Sequence, residues 1–223
     1  MFDWMGGWGS AARPRCARPE YDMADENAGL ASATRVACAD GWREIGTIVA
    51  GDEVLTFDAG LQKVTSVEHR PLWPAAENCP RSAWPLEVPR GALGNHCRFL
   101  LIPGQTVMIE SDAAEEIHGD PFALVPAVAL ENQRGICRVP PRSLGHATLL
   151  RFETDQVIFA ESGAMFLCPQ ARDILDSACE TGSAPDYRVL SLDEAREIVS
   201  GMDRPVAEPR ASRPFWSIMV GAA

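Results

Sequence analysis

Apolar and polar residues alternate with period two in short runs from about residue 30 to residue 168, and Gly, Asp and Pro punctuate them. Thr34-Arg35-Val36-Ala37-Cys38 alternates, Asp40-Gly41 supplies a turn, and Trp42-Arg43-Glu44-Ile45 returns. Side chains of a strand point to opposite faces in turn, so this pattern predicts a β-hairpin. Residues 53–57 (Glu-Val-Leu-Thr-Phe) predict a strand closed by Asp58-Ala59-Gly60, and 62–67 predict another that leads into Pro71-Leu72-Trp73. A strand pair is expected from 86–88 and 99–102 around Gly91-Ala92-Leu93-Gly94, and 107–109 resumes after the Pro103-Gly104 break. Residues 122–130 are apolar but interrupted by Pro126, and late strands are expected at 149–152, 157–160 and 164–167. Short strands between frequent turns indicate an all-β domain.

Two segments follow a helical pattern instead. Ser111-Asp112 opens a short turn through Glu115-Glu116 that Gly119 stops. Ser191-Leu192-Asp193-Glu194 is a capping box, which predicts one well-formed C-terminal helix with Leu192, Ala195 and Val199 on its inner face and Gly201 as its C-cap. The chain therefore divides into an N-terminal arm (1–28), a β domain (29–169), a linker with the C-terminal helix (170–203) and a tail (204–223). The two flanks, rich in Gly, Ala, Arg and Pro, carry no apolar period and read as flexible. Trp4 and Trp8 stand out in the arm as the residues through which a protein partner would dock.

Composition narrows the function classes. The net charge of −11 argues against nucleic-acid and anionic-membrane partners, which require a basic footprint. Seven cysteines (16, 38, 79, 97, 137, 168 and 179) form no CxxC pair, no zinc spacing and no even disulfide framework, so reduced thiols are expected. No run approaches the ~18 apolar residues of a membrane span, and the N-terminus lacks the basic start and apolar stretch of a signal peptide. A cytoplasmic protein without a cofactor or metal is the expectation. Neither G-x-S-x-G, H-E-x-x-H, a P-loop nor G-x-G-x-x-G occurs.

Five segments in order carry a family resemblance: 33–64 (ATRVACADGWREIGTIVAGDEVLTFDAGLQKV), GALGN at 91–95, LLIPGQTVMI at 100–109, FALVPA at 122–127 and ETDQVIFAESG at 153–163. Together they resemble the hedgehog/intein (Hint) self-processing domain, in its bacterial stand-alone branch, from Gly29 to Pro169. The resemblance implies a horseshoe of short antiparallel strands with pseudo-twofold symmetry. It also implies where chemistry would sit. In that family a Cys, Ser or Thr at the first residue attacks the preceding carbonyl, and a His polarises the scissile amide and handles its proton.

At those positions this chain departs from the pattern. The nucleophile position, five residues before Thr34, is Gly29, and the assisting His position is Gln105. Two further histidine positions of the branch match Leu149 and Asp155. Glycine has no side chain, and glutamine cannot exchange a proton near neutral pH. The resulting expectation is a domain without self-processing that serves as a structural or interaction module.

Two alternatives compete with it. A displaced nucleophile (Ser32, Thr34 or Cys38) would allow processing, although Cys38 lies nine residues past Gly29, too far for the family's acyl shift. Alternatively, the former site, lined by 29–34, 102–105 and 149–157, would hold a small ligand or metal. Four other features are expected to be structural. Ser32 and Thr34 are small hydroxyl residues satisfied by backbone. Asp52 forms a turn and caps nearby amides. His96-Cys97 is too small a set for a metal. The carboxylates of 110–120 with His118 form a solvated face.

Overall fold

Alternating runs of three to seven residues, each stopped by a glycine or proline turn, can satisfy their backbone groups only by pairing with neighbouring strands. The computed structural model describes residues 29–73, 79–141, 145–170 and 187–202. In chain order the elements are β1 (Leu30–Ala31), β2 (Arg35–Cys38), β3 (Gly41–Glu44), β4 (Glu53–Thr56), β5 (Gly60–Lys63), β6 (Ser66–Leu72) and β7 (Leu86–Val88). They continue with β8 (Phe99–Leu101), β9 (Thr106–Glu110), α1 (Asp112–His118), β10 (Phe122–Pro126) and β11 (Cys137–Arg138). The last are β12 (Gly145–Arg151), β13 (Gln156–Phe159), β14 (Met165–Cys168) and α2 (Leu192–Gly201). The fold is all-β, with antiparallel strand pairs throughout its sheets.

The described residues form three sheets. The largest runs β10-β9-β14-β13-β4-β2-β3, with β5 also paired to β4; the second is β1-β12-β6 and the third β11-β7-β8. One apolar core joins them: Val36 and Ile158 from the largest sheet, Leu150 from the second, Leu86 and Leu101 from the third, and Ile198 from α2. Each such side chain, fully buried, contributes about 1.5–3 kcal/mol through the hydrophobic effect.

The run 62–67 does not form one strand. Val64 exchanges backbone hydrogen bonds with Gly51 and Asp52 at 2.8 and 2.9 Å, while the Thr65 amide turns to Arg151 O at 2.8 Å. The chain thus changes sheets at residues 64–65, a choice of partner that period-two alternation does not encode. β6 lies at the outside of its sheet, where the missing N–H of Pro71 is tolerated.

The helices show one correction. Ser191 caps α2 as the sequence requires: its Oγ accepts from the Glu194 amide, and Glu194 Oε2 accepts from the Ser191 amide at 2.9 Å. Ala195, Ile198 and Val199 are its buried face, with Leu192 packed beside them. Gly201, however, is the last residue of α2 rather than its C-cap, which is Met202 in right-handed geometry. A Cβ at Gly201 would stand 2.9 Å from Ala113 Cβ, so glycine is needed there for the close approach of α1. α1 itself is a second, seven-residue helix ended by Gly119 at φ 76°. No helix among the described residues is long and apolar enough to cross a membrane. The arm with Trp4 and Trp8, the residues 171–186 and the tail from 203 lie outside the described residues.

Candidate functional site

Where the chain enters its first strand, backbone geometry alone selects glycine. Gly29 has φ +115°, a conformation that L-residues avoid because Cβ collides with nearby backbone. A Cβ there would lie 3.2 Å from Thr148 O and 3.3 Å from both Ala147 Cβ and Leu149 Cδ1. The residue that would carry a nucleophile is therefore pressed against β12 with no room prepared for a side chain.

Its amide is also occupied. Gly29 N–H donates to Gln105 Oε1 at 3.0 Å, across 76 positions of sequence. Pro103-Gly104 turns the chain after β8, and Gln105 N bonds back to Ile102 O at 3.0 Å, which aims the side chain inward just before β9. Gln105 is 3% exposed. Its Nε2 donates to Thr106 O at 3.0 Å and to Leu167 O at 2.9 Å, and its own carbonyl accepts from Ala127 N at 2.9 Å. Two carbonyl acceptors on one side and an N–H donor on the other admit only this orientation of the side-chain amide. Gln105 thus ties Gly29 to β9 and β14 as a fully engaged hydrogen-bond clamp.

Leu149 completes this cluster and Asp155 does not. Leu149 is buried in β12 against Gly29, an apolar residue where the family resemblance implies a histidine. Asp155 sits in the β12–β13 turn, where Oδ1 accepts from the Gln170 amide at 2.9 Å; its bond holds the turn rather than reaching Gly29 or Gln105.

Most of the other candidates have structural partners. Ser32 Oγ donates to His146 O at 2.9 Å; of Thr34, it is the backbone N–H that is engaged, donating to Ala31 O at 2.7 Å. Burial pushes the Cys38 thiol above its ordinary range, against the pull of Arg43, so it stays protonated and a poor nucleophile. Asp52 accepts from Val49 N at 3.0 Å and pairs with Arg43 at 3.1 Å, and the Val49 bond first of all lowers its carboxyl pKa. At His96-Cys97 the preceding Asn95 is the organising residue: it is buried and bonds Leu93 N, Pro89 O and Cys97 O at 3.0, 2.9 and 2.7 Å. His118 and its neighbouring carboxylates lie exposed on α1. Among the described residues no group of three His, Cys, Asp or Glu could hold a metal ion. A groove of about 370 Å³ bordered by Trp73, Pro85, Phe99, Leu100 and Val139 includes none of 29–34, 102–105 or 149–157.

One polar group escaped the sequence reading. Thr148, 1% exposed within the apolar run Ala147–Leu150 of β12, joins Ser32 Oγ at 2.9 Å and His69 Nδ1 at 3.1 Å. A hydroxyl residue set among core positions was its signal, since buried polar groups require partners.

Comparison with known proteins accords with this architecture. A family model described as the Hint domain matches residues 28–165. Among solved structures, the bacterial intein-like domain from Clostridium thermocellum is similar at 12% identity, covering 62% of this chain and 96% of that one, with a TM-score of 0.42. The gp41-1 intein is similar at 12% identity over 64% of this chain and 98% of that one, TM-score 0.39. The MchDnaB-1 intein is similar at 12% identity over 61% and 98%, TM-score 0.38. A comparison with curated proteins finds no match. With the family model spanning most of the ordered strands and the all-β sheets in place, the chain belongs to the Hint domain family.

Proposed function

We propose that this protein is a Hint-fold module that does not process itself at the family's junction and instead serves as a structural or interaction scaffold. The observation that carries the reading is the Gly29–Gln105 hydrogen bond. An acyl shift needs a side-chain nucleophile beside the upstream carbonyl and a group that can protonate the leaving amide. Gly29 offers neither atom nor room, and the Gln105 amide is committed on both sides to backbone partners. What remains at the site is a clamp that fixes the chain's path into the domain. The partner is assigned to Trp4 and Trp8 in the arm, whose aromatic side chains are the type that anchors protein interfaces.

The test is the intact mass of the purified full chain after incubation with thiol or hydroxylamine. We expect the unbroken 24.2 kDa species. A fragment starting at residue 29 would overturn the reading. So would one starting at Ser32, Thr34 or Cys38 that the corresponding alanine substitution abolishes. For the scaffold role, Trp4→Ala/Trp8→Ala should abolish co-purification of a partner while leaving the melting temperature unchanged.

A further inference from the structure

The Ser32–Thr148–His69 chain determines where its protons lie. Ser32 Oγ–H donates to His146 O at 2.9 Å, which uses the only serine proton. The 2.9 Å contact between Ser32 Oγ and Thr148 Oγ1 then requires the threonine proton. The 3.1 Å contact between Thr148 Oγ1 and His69 can in turn be bridged only by a proton on Nδ1 of His69. In the neutral imidazole this leaves the lone pair on Nε2. A histidine whose Nδ1–H is held by an outer partner is fixed in the tautomer, with its lone pair on Nε2, that metal-ligating histidines use.

A second imidazole lies on the same face. Thr148 pairs with His69 across β12 and β6, and His146 pairs with Pro71. His146 is two residues from Thr148 along β12, so His69 and His146 are diagonal neighbours, which places their Cα atoms ~7–8 Å apart. Both are exposed, and neither Glu68 nor Arg70 competes, since these point to the other face and pair with each other at 2.6 Å. Two imidazoles at that spacing can bracket one ion at metal–nitrogen distances of ~2.0–2.1 Å, with water in the remaining positions. The Ser32 N–H and Oγ bonds hold the His146 backbone in place, and the Thr148 bond holds the His69 ring.

We propose that His69 and His146 form a two-histidine surface site for a divalent transition-metal ion, with Thr148 as the positioning residue that orients His69. Imidazole donors without thiolate or carboxylate suit the nickel, copper and zinc group rather than magnesium or calcium. The site is separate from the Gly29–Gln105 clamp and does not depend on the absence of processing.

Titration of the full chain with Ni²⁺ alone, followed by calorimetry, tests this. One ion should bind, and His69→Ala or His146→Ala should each weaken it at least ~10-fold. Thr148→Val keeps both imidazoles and removes only the outer hydrogen bond; it should cost ~10-fold or more, with Thr148→Ser restoring affinity. Should Thr148→Val fail to fold, long-range ¹H–¹⁵N NMR of the unaltered protein reads the same point, since His69 must be protonated at Nδ1. No binding, equal binding by a His69→Ala/His146→Ala variant, or a His69 proton on Nε2 alone would overturn the proposal.

Discussion

Substituting Gln105 probes the clamp directly. Gln105→Leu removes three side-chain hydrogen bonds, to Gly29 N, Thr106 O and Leu167 O, at a position that is 3% exposed. Each is worth about 1 kcal/mol net, and the buried Gly29 amide left without an acceptor costs a further ~1–3 kcal/mol. Burial of the leucine side chain offsets about 1.5 kcal/mol, which leaves a loss near 3 kcal/mol and a drop in melting temperature of ~6–12 °C. Gln105→Glu sharpens the case through its sign. One carboxyl oxygen can still accept from Gly29 N, but the other faces the Thr106 and Leu167 carbonyl oxygens. Ionisation is disfavoured there, so the folded-state pKa of this glutamate rises above the ordinary ~4.3. The folded state then holds a proton that the unfolded chain releases. Stability of Gln105→Glu relative to wild type is consequently greatest below pH ~4 and falls as pH rises. Urea unfolding followed by circular dichroism at pH 4 and pH 8 measures both effects. A loss under ~1 kcal/mol in Gln105→Leu, or a Gln105→Glu variant that gains on wild type toward alkaline pH, would refute the clamp.

Further consequences can be measured with the same tools. Gly201→Ala gains about 1 kcal/mol of helix propensity but forces a methyl to 2.9 Å from Ala113 Cβ, which costs about 1–3 kcal/mol, so thermal melting should show a net loss of up to about 2 kcal/mol. Glu194, Glu68 and Asp52 have lowered pKa values, held down chiefly by the Ser191 amide, the Arg70 guanidinium and the Val49 amide respectively. Their stabilisation is present above the ordinary carboxylate range and is lost as pH falls through their folded values, so the urea midpoint should decline below pH ~4, and Glu194→Gln should flatten that decline. The Cys168 thiol, pushed up to about 12 by complete burial, should resist alkylation with Cys38 until the protein unfolds, while exposed Cys97 and Cys137 react in the native state; peptide mapping after a maleimide pulse distinguishes them.

Particular residues show what the sequence could and could not disclose. The β2–β3 hairpin and β4 were legible because alternation is a local signal, although the turn falls one residue early, at Ala39-Asp40, with Gly41 already paired to Cys38. The sheet change at residues 64–65 was not, since alternation specifies faces and not partners. Gly29 and Gln105 were picked out by segment order within a family resemblance, yet their hydrogen bond spans 76 positions and no periodicity points to it. Asp155 was placed with them by the family resemblance, whereas the β12–β13 turn uses its carboxylate for the Gln170 amide. Ser32 was read as a hydroxyl satisfied by backbone; the His146 O bond is of that kind, and only the fold reveals that it continues through Thr148 to His69. Gly201 looked like a C-cap because its role depends on a neighbour 88 residues earlier, Ala113.

The clamp also has a consequence in time. Gly29 leaves the ribosome early, but its acceptor lies 76 residues later, and that acceptor is itself oriented by Leu167, another 62 residues on. During vectorial synthesis the Gly29 amide therefore waits for nearly the whole domain before its acceptor is held in place. A domain built this way works as a completion check: the Gly29–Gln105 bond has both its ends held only after β14 has been added to the sheet.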